Sequence, residues 1–72
     1  MTINEILKAI RKELNISQET LARDLKVSFA TLNRWENGRN VPSRLALAQL
    51  KEFAAQNNVS EEVTAAIEQI RI

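Results

Sequence analysis

Residues 16–38 read ISQETLARDLKVSFATLNRWENG, and this stretch decides the fold. Ser17 and Ser28 each precede a short run whose apolar residues recur at helical spacing. Either hydroxyl can begin a helix by accepting a hydrogen bond from one of its first free N–H groups. The pair Asn37-Gly38 ends the second run, because both residue types favour turn conformations. The stretch therefore predicts two short helices joined by a tight turn.

The flanking sequence predicts three more helices. Each begins at a residue that can cap a helix, and each carries apolar residues three or four positions apart. The predicted ranges are about 3–14, from Ser43 to Asn57, and about 60–70. The caps are Thr2, which forms a Thr-x-x-Glu capping box with Glu5, then Ser43 after Pro42, and Ser60.

Composition supports an all-α single domain over residues 1–72. A chain of 72 residues cannot divide its core and still offset the entropy cost of ordering the backbone. Aliphatic residues dominate the hydrophobic 44%, aromatic residues make up 4%, and Gly and Pro occur once each. This balance favours packed helices over strands.

Several classes of function are excluded by what the chain does not contain. It has no Cys and no His, so it has no disulfide, no thiolate or imidazole metal ligand, and few of the usual catalytic groups. We expect no enzymatic activity, no metal and no cofactor. No apolar run approaches the roughly 20 residues that cross a bilayer, and the start of the chain lacks a signal-peptide pattern. We therefore expect no membrane association and a cytoplasmic location.

Charge is distributed unevenly along the chain, although the net charge is only +1. Residues 1–51 hold nine Lys or Arg against five acidic residues, whereas residues 52–72 hold one Arg against four Glu. Such asymmetry indicates a basic face that contacts a polyanion and an acidic segment that avoids it. The alternative is a chance scatter of surface charge in a short chain.

The decisive stretch resembles the Cro/repressor (Xre) helix-turn-helix family. The positions that carry the resemblance are Gln18, Leu21-Ala22, Leu25, Val27-Ser28, Leu32, Trp35-Glu36 and Asn37-Gly38. The resemblance covers roughly residues 3–55 and implies a compact five-helix lambda-repressor-like domain with its helix-turn-helix at about 17–36. One departure is Lys26, which stands in the turn where the best-known phage repressors place glycine. A non-glycine residue in a left-handed conformation costs about 1 kcal/mol.

The second helix of this motif has two chemically different faces. At about 100° per residue, Leu32 and Trp35 fall on one half of the helix. The opposite half can contact base edges in a major groove, with Arg34 bridging guanine and Asn33 pairing with adenine. Its apolar members can contact thymine methyl groups. The predicted base-contacting residues are Phe29, Ala30, Asn33 and Arg34, with Thr31 at the edge of the buried half.

Each of these assignments has an alternative. Asn33 and Arg34 can belong to an ordinary solvated helix face, and Phe29 can pack at the start of the helix. Arg34 can also contact a phosphate, which gives affinity without sequence information. For Trp35 the alternative is base stacking, but its place on the apolar half predicts that it belongs to the core.

Phosphate contacts are expected from donors around the same helix. Gln18 matches a family position whose side chain contacts the DNA backbone, and its helix N-terminus directs N–H groups the same way. The alternative for each residue in the following loop is solvation. The predicted phosphate contacts are Gln18, Ser28, Asn37, Arg39, Asn40 and Arg44.

Two further roles are implied for residues outside the DNA-contacting set. Arg11 and Glu36 are similar to a partly buried ion pair that joins helix 1 to helix 3 in family members. The fifth helix is the candidate for a dimer contact, since it carries more aliphatic residues than the end of a minimal domain needs. Its main expected task is to cover helices 1 and 4 of its own chain, and the dimer contact is an addition to that task. The predicted dimer residues are Val63, Ala66, Ile67 and Ile70, with Ile72 adding to the same aliphatic surface.

The sequence thus predicts a transcriptional regulator, most simply a repressor, that binds double-stranded DNA sequence-specifically. One helix contacts too few base pairs to discriminate within a genome, so we expect a homodimer on a palindromic operator. Related alternatives are a DNA-binding antitoxin with a toxin as partner and a restriction-modification controller. A different class of alternative is a protein-interaction module, or an accessory domain of a larger DNA-modifying protein.

Overall fold

The computed structural model describes residues 1–70, and within them it contains five helices and no strand. The helices are α1 (Ile3–Leu14), α2 (Gln18–Leu25), α3 (Phe29–Glu36), α4 (Arg44–Gln56) and α5 (Glu61–Glu68). The prediction of an all-α fold is confirmed. The helix bounds follow the predicted ones, except that α5 ends at Glu68 and not at residue 70. Ile72, which was expected to extend the aliphatic surface of α5, lies outside the described residues.

Local capping explains why these boundaries were predictable. At every helix start a side-chain oxygen accepts a hydrogen bond from the backbone N–H three residues later. Such a bond satisfies one of the free donors of the first turn, and its loss to alanine costs about 1 kcal/mol. The capping residues are Thr2, Ser17, Ser28, Ser43 and Ser60.

The turn between α2 and α3 uses Lys26 in the left-handed conformation, with φ 62° and ψ 39°. Its N–H bonds to the carbonyls of Ala22 and Arg23, and the next N–H, of Val27, bonds to Ala22 at 3.0 Å. These bonds close the end of α2 and direct the chain into α3. Lys26 therefore adopts the left-handed conformation that glycine takes without strain, at a conformational cost of about 1 kcal/mol.

One core holds the five helices together. Helix α1 packs against α3 and α5, α2 packs against α3 and α4, and α4 packs against α5. Ala22 is 3% exposed and lies on α2, which packs directly on α3; a small residue there lets two helices approach closely. Trp35 is 7% exposed, so it belongs to the core as expected. The buried apolar side chains are Ile6, Leu7, Ile10, Leu21, Ala22, Leu25, Leu32, Trp35, Leu47, Leu50, Phe53, Ala54, Val59, Val63 and Ile67.

A two-bond ion pair fixes the end of α3 to α1. The Arg11 guanidinium donates from Nε to Oε2 of Glu36 at 2.9 Å and from Nη2 to Oε1 at 2.6 Å. The Glu36 side chain is 2% exposed and that of Arg11 is 27% exposed. This is the partly buried pair that the family resemblance implies. It joins the last residue of α3 to α1.

A second long-range polar contact attaches α5 to α1. The Glu13 carboxylate accepts a hydrogen bond from the Ser60 backbone N–H at 2.9 Å and another from its hydroxyl at 2.8 Å. These two bonds to the charged form lower the pKa of Glu13 from its ordinary value of 4.5, the backbone bond being the larger cause. Helix α5 thus begins against a negative charge supplied by another helix, which suits its positive end.

The Glu13 contact predicts a pH-dependent contribution to stability. Because the folded pKa is lowered, the contribution is fully present above the unfolded value of 4.5 and is lost as the pH falls through the folded pKa. We expect Glu13→Gln to lower the melting temperature at pH 7 by an amount that shrinks as the pH falls below 4.5. Thermal unfolding of both proteins between pH 7 and pH 3 measures this difference. A difference that stays constant across that range contradicts the prediction.

Candidate nucleic-acid interface

Helix α3 is buried on one side and open on the other. Leu32 is 0% exposed and Trp35 7% exposed, whereas Phe29 is 50% exposed. Ala30 and Arg34 are also exposed, while Asn33 and Thr31 are half-buried at the margins. We call the surface formed by Phe29, Ala30, Asn33 and Arg34 the α3 face. The two-sided arrangement expected from the helical period is therefore present.

An amide contact joins α2 to the α3 face. Gln18 Nε2 lies 3.3 Å from Oδ1 of Asn33 and donates to it. Each amide group has two donors and two acceptor lone pairs, so both side chains keep hydrogen-bonding capacity after this contact. The sequence predicts separate roles for these residues, a phosphate contact for Gln18 and a base contact for Asn33. The structure brings them side by side.

A hydroxyl cluster occupies the margin of the α3 face. Ser28 Oγ accepts from the Thr31 backbone N–H at 3.0 Å and donates to Thr31 Oγ1 at 2.9 Å. Arg34 Nη2 lies at the limit of hydrogen bonding, 3.5 Å from the same Oγ1. Because a hydroxyl is both donor and acceptor, Thr31 can instead donate to Ser28, which leaves the Ser28 proton for a phosphate. Thr31 is held beside Arg34 and can guide its direction.

The loop after α3 presents positive charge. Arg39 N–H bonds to the Arg34 carbonyl at 3.0 Å, and Gly38 adopts φ +74°, a left-handed conformation that glycine takes without strain. Together these features turn the chain directly after the helix. The side chains expected to contact phosphate here are all exposed, namely Asn37, Arg39, Asn40 and Arg44.

The arginines of this surface are not neutralised by neighbouring carboxylates. Within residues 1–70 the ion pairs are Arg11–Glu36 and Arg23–Asp24, the latter at 4.0 Å. The sequence contains no acidic residue between Glu36 and Glu52. The guanidinium groups of the α3 face and its loop therefore keep their positive field, which attracts a polyanion.

Helix α5 packs on the core of its own chain, which the sequence indicated as its main task. Val63 and Ile67 are 2% and 1% exposed within their own protomer, so neither offers apolar surface to a second copy in this fold. The reason is that α5 covers both α1 and α4. Ile70 lies beyond the end of the helix and, like Ala66, is half-buried. A dimer contact through α5 stays a prediction only for Ala66 and Ile70.

Sequence reasoning also missed two exposed aliphatic side chains. Val41 is 70% exposed and Leu45 is 72% exposed, at the start of α4. The sequence pattern does indicate that these side chains are exposed. Leu45 falls outside the apolar spacing of α4, and Val41 lies in the loop before Pro42, ahead of the first residue of α4. These side chains lie in the same segment of chain as Arg39 and Arg44.

Other kinds of site find no support within residues 1–70. This part of the chain contains no group of three acidic side chains placed to hold a metal ion. None of its helices is both long and apolar enough to cross a membrane.

Comparison with known proteins agrees with the geometry. Residues 7–63 match the family described as Helix-turn-helix. The HTH-type transcriptional activator BcrR of Enterococcus faecalis is 36% identical over 53 residues, which are 74% of this chain and 26% of BcrR. Antitoxin HigA-2 of Vibrio cholerae is 44% identical over 43 residues, 60% of this chain and 41% of HigA-2. The chain spans less than half the length of either relative, and no solved structure was found to match it.

Proposed function

Because the chain belongs to the Helix-turn-helix family of DNA-binding regulators, we propose that α3 enters the major groove of duplex DNA and that the protein acts as a transcriptional repressor. The observation that carries this proposal is the α3 face, in which Phe29, Ala30 and Arg34 are exposed and Asn33 is half-buried, opposite a fully buried Leu32. A protein that blocks a promoter needs only to bind there. The proposed function is therefore binding without catalysis, in the cytoplasm.

The α3 face has the chemistry for contacts to base edges. The Arg34 guanidinium can donate two hydrogen bonds to O6 and N7 of guanine. The Asn33 amide keeps at least one donor and one lone pair beyond its bond to Gln18, enough for the edge of adenine. The Phe29 ring and the Ala30 methyl group can contact thymine methyls. These roles give the face its sequence preference.

Phosphate contacts hold α3 in register. Gln18 has a second amide proton for a phosphate after its bond to Asn33, so one side chain can link the DNA backbone to a base-contacting residue. On the other side of the groove, the exposed Arg39 and Arg44 contribute positive charge. Each phosphate neutralised steepens the salt dependence of binding by about one unit of slope.

Selection from randomised duplex DNA tests the proposal. The purified protein is incubated with the duplex pool at low salt, bound molecules are recovered and amplified, and the enriched sequences are determined. We expect one enriched motif, repeated with inverted symmetry if a homodimer binds a palindromic operator. Failure of every duplex to bind at low salt rejects the proposed function.

Arg34→Ala is expected to change sequence preference. Removing a bidentate contact to guanine weakens binding to the selected site by about 1 to 3 kcal/mol and relaxes one base position. Titration of the variant against the selected site and its single-base variants measures both effects. A uniform loss across all sequences instead assigns Arg34 to a phosphate.

Arg39→Ala is expected to lower the affinity for DNA without changing the sequence preference. Loss of a phosphate contact weakens binding to every sequence by a similar factor and reduces the slope of log K against log salt by about one. Binding measured at several salt concentrations on the selected site and on a scrambled duplex gives both numbers. Arg23→Ala is the matched control, because Arg23 is exposed but already lies 4.0 Å from Asp24.

An antitoxin is the second candidate function, favoured by the identity to HigA-2. In that case the same chain binds DNA and also neutralises a toxin protein. Co-expression with the product of the neighbouring gene tests it. If that product stops cell growth alone and growth returns when this chain is present, the antitoxin function is supported. Growth that is unaffected in both cases removes this candidate.

A further inference from the structure

The helix-turn-helix contains one seven-residue pattern twice. Residues 17–23 read SQETLAR and residues 28–34 read SFATLNR, so Ser-x-x-Thr-Leu-x-Arg spans the start of α2 and again the start of α3. In each copy the serine hydroxyl accepts a hydrogen bond from the threonine backbone N–H, at 3.1 Å in α2 and 3.0 Å in α3. The serine and threonine hydroxyl oxygens lie 3.0 Å apart in α2 and 2.9 Å apart in α3. The two helix starts therefore match as far as the arginine.

The two arginines of this pattern have different partners. In α2, Arg23 Nε lies 4.0 Å from Oδ1 of Asp24, the next residue. In α3 the next residue is Trp35, which is buried and uncharged, and Arg34 Nη2 donates to Oγ1 of Thr31 at 3.5 Å. A guanidinium group has no acceptor, so the direction of this bond is fixed. The threonine of α3 thus has an arginine as its partner on the α3 face.

We propose that Thr31 is a positioning residue, whose hydroxyl holds the Arg34 guanidinium in place for a base edge. This inference rests on the proposed function, in which Arg34 contacts guanine. The guanidinium group has five N–H donors, and one bond to Thr31 leaves four, of which guanine needs two. Thr31 then acts through Arg34, and this role replaces the direct base contact that the sequence predicts for Thr31.

The bond to Ser28 keeps the Thr31 hydroxyl in a fixed position. One torsion angle places Oγ1 of a threonine, and here Oγ1 lies 2.9 Å from Oγ of Ser28, the residue that caps α3. A hydroxyl oxygen has two lone pairs and one proton. Whichever of the two hydroxyls donates to the other, at least one lone pair of Thr31 is left for Arg34. The acceptor offered to the guanidinium is therefore present in both arrangements.

Holding the guanidinium before DNA arrives reduces the entropy cost of binding. A long side chain that becomes ordered only in the complex lowers the affinity by about 2- to 10-fold, and a side chain already held avoids part of that loss. The contact of 3.5 Å joins groups that are open to water in the free protein. Bases that exclude water from the groove strengthen such a bond. The benefit falls on the one base that Arg34 contacts, so it increases discrimination at that position.

Thr31→Val tests the inference, because it removes the hydroxyl, keeps the branched shape and leaves the backbone N–H for Ser28. The quantity measured is the ratio of affinities for the selected duplex and for the duplex changed at the base position that Arg34→Ala relaxes. We expect Thr31→Val to lower this ratio by about 2- to 10-fold. Thr31→Ser keeps a hydroxyl and should retain the ratio. Thr20→Val removes the equivalent half-buried threonine hydroxyl in α2 and is the matched control, which should also retain it.

Two further measurements distinguish positioning from a structural role. Added to Arg34→Ala, Thr31→Val should lower the ratio no further, because its effect passes through the arginine. In the free protein, the heteronuclear Overhauser effect of the Arg34 Nε–H group should exceed that of the exposed Arg39. In Thr31→Val it should fall to the value of Arg39. This second measurement needs no DNA.

Several outcomes overturn the inference and separate it from failure of the proposed function. A ratio that Thr31→Val leaves unchanged, with the selected duplex still bound, removes the positioning role and leaves DNA binding standing. A further loss on the Arg34→Ala background assigns Thr31 a DNA contact of its own. An equal loss in Thr20→Val or in Thr31→Ser shows that the hydroxyl beside Arg34 is not the cause. If no duplex binds, the proposed function fails and this inference fails with it.

Discussion

Arg11→Ala should unfold more easily than the wild-type protein by about 3 kcal/mol. Removing the guanidinium leaves the Glu36 carboxylate, whose side chain is 2% exposed, buried without a partner. Breaking a buried pair in this way costs about 3 to 5 kcal/mol, and the 27% exposure of Arg11 favours the lower end. For a domain of this size the melting temperature then falls by roughly 12 to 24 °C. Urea unfolding followed by circular dichroism measures the loss.

Two variants control this experiment. Arg23→Ala removes an exposed arginine that lies 4.0 Å from Asp24, and such surface pairs contribute at most about 1 kcal/mol. The double variant Arg11→Leu, Glu36→Leu removes both charges and should recover most of the stability. If the free energy of unfolding of Arg11→Ala stays within about 1 kcal/mol of the wild-type value, water reaches Glu36 and the Arg11–Glu36 pair contributes little to stability.

Trp35→Ala should lower the free energy of unfolding by about 3 to 5 kcal/mol, whereas Phe29→Ala should change it by less than about 1 kcal/mol. Both are aromatic residues of α3, but Trp35 is 7% exposed and Phe29 is 50% exposed. The cost for Trp35 comes from lost burial and from the cavity left behind. Phe29→Ala should instead weaken binding to the selected DNA site, through loss of its contact to a base.

Denaturant unfolding and DNA titration, performed on both variants, separate the two roles. Binding by Trp35→Ala is measured at a temperature where circular dichroism shows the variant to be folded. Normal stability of Trp35→Ala together with weak DNA binding contradicts the core assignment and favours base stacking. A large loss of stability in Phe29→Ala places that ring in the core.

The parts of the fold that sequence predicted are those set by neighbours in the chain. Ser17 and Ser28 bond to backbone N–H groups three residues away, so a short window of sequence contains both partners. The two faces of α3 follow from the helical period for the same reason. The Arg11–Glu36 pair spans 25 positions, and the family resemblance, not the local pattern, implied it.

The parts that sequence missed depend on how the helices pack. The bonds between Glu13 and Ser60 join residues 47 positions apart, and no local pattern indicates them. The Gln18–Asn33 contact depends on the direction in which α3 leaves the turn. The spacing of aliphatic residues on α5 is compatible both with a contact to a second copy and with packing in the core of the same chain. Only the three-dimensional arrangement shows that Val63 and Ile67 face inward.

The packing of α1 against α5 has a consequence for the order of synthesis. The position of α3 depends on α1 through Arg11, and the burial of α1 depends on α5, which ends at Glu68. A nascent chain therefore leaves the ribosome with the part of α1 that packs against α5 uncovered until α5 has emerged. Until then, that part of α1 is available to chaperones.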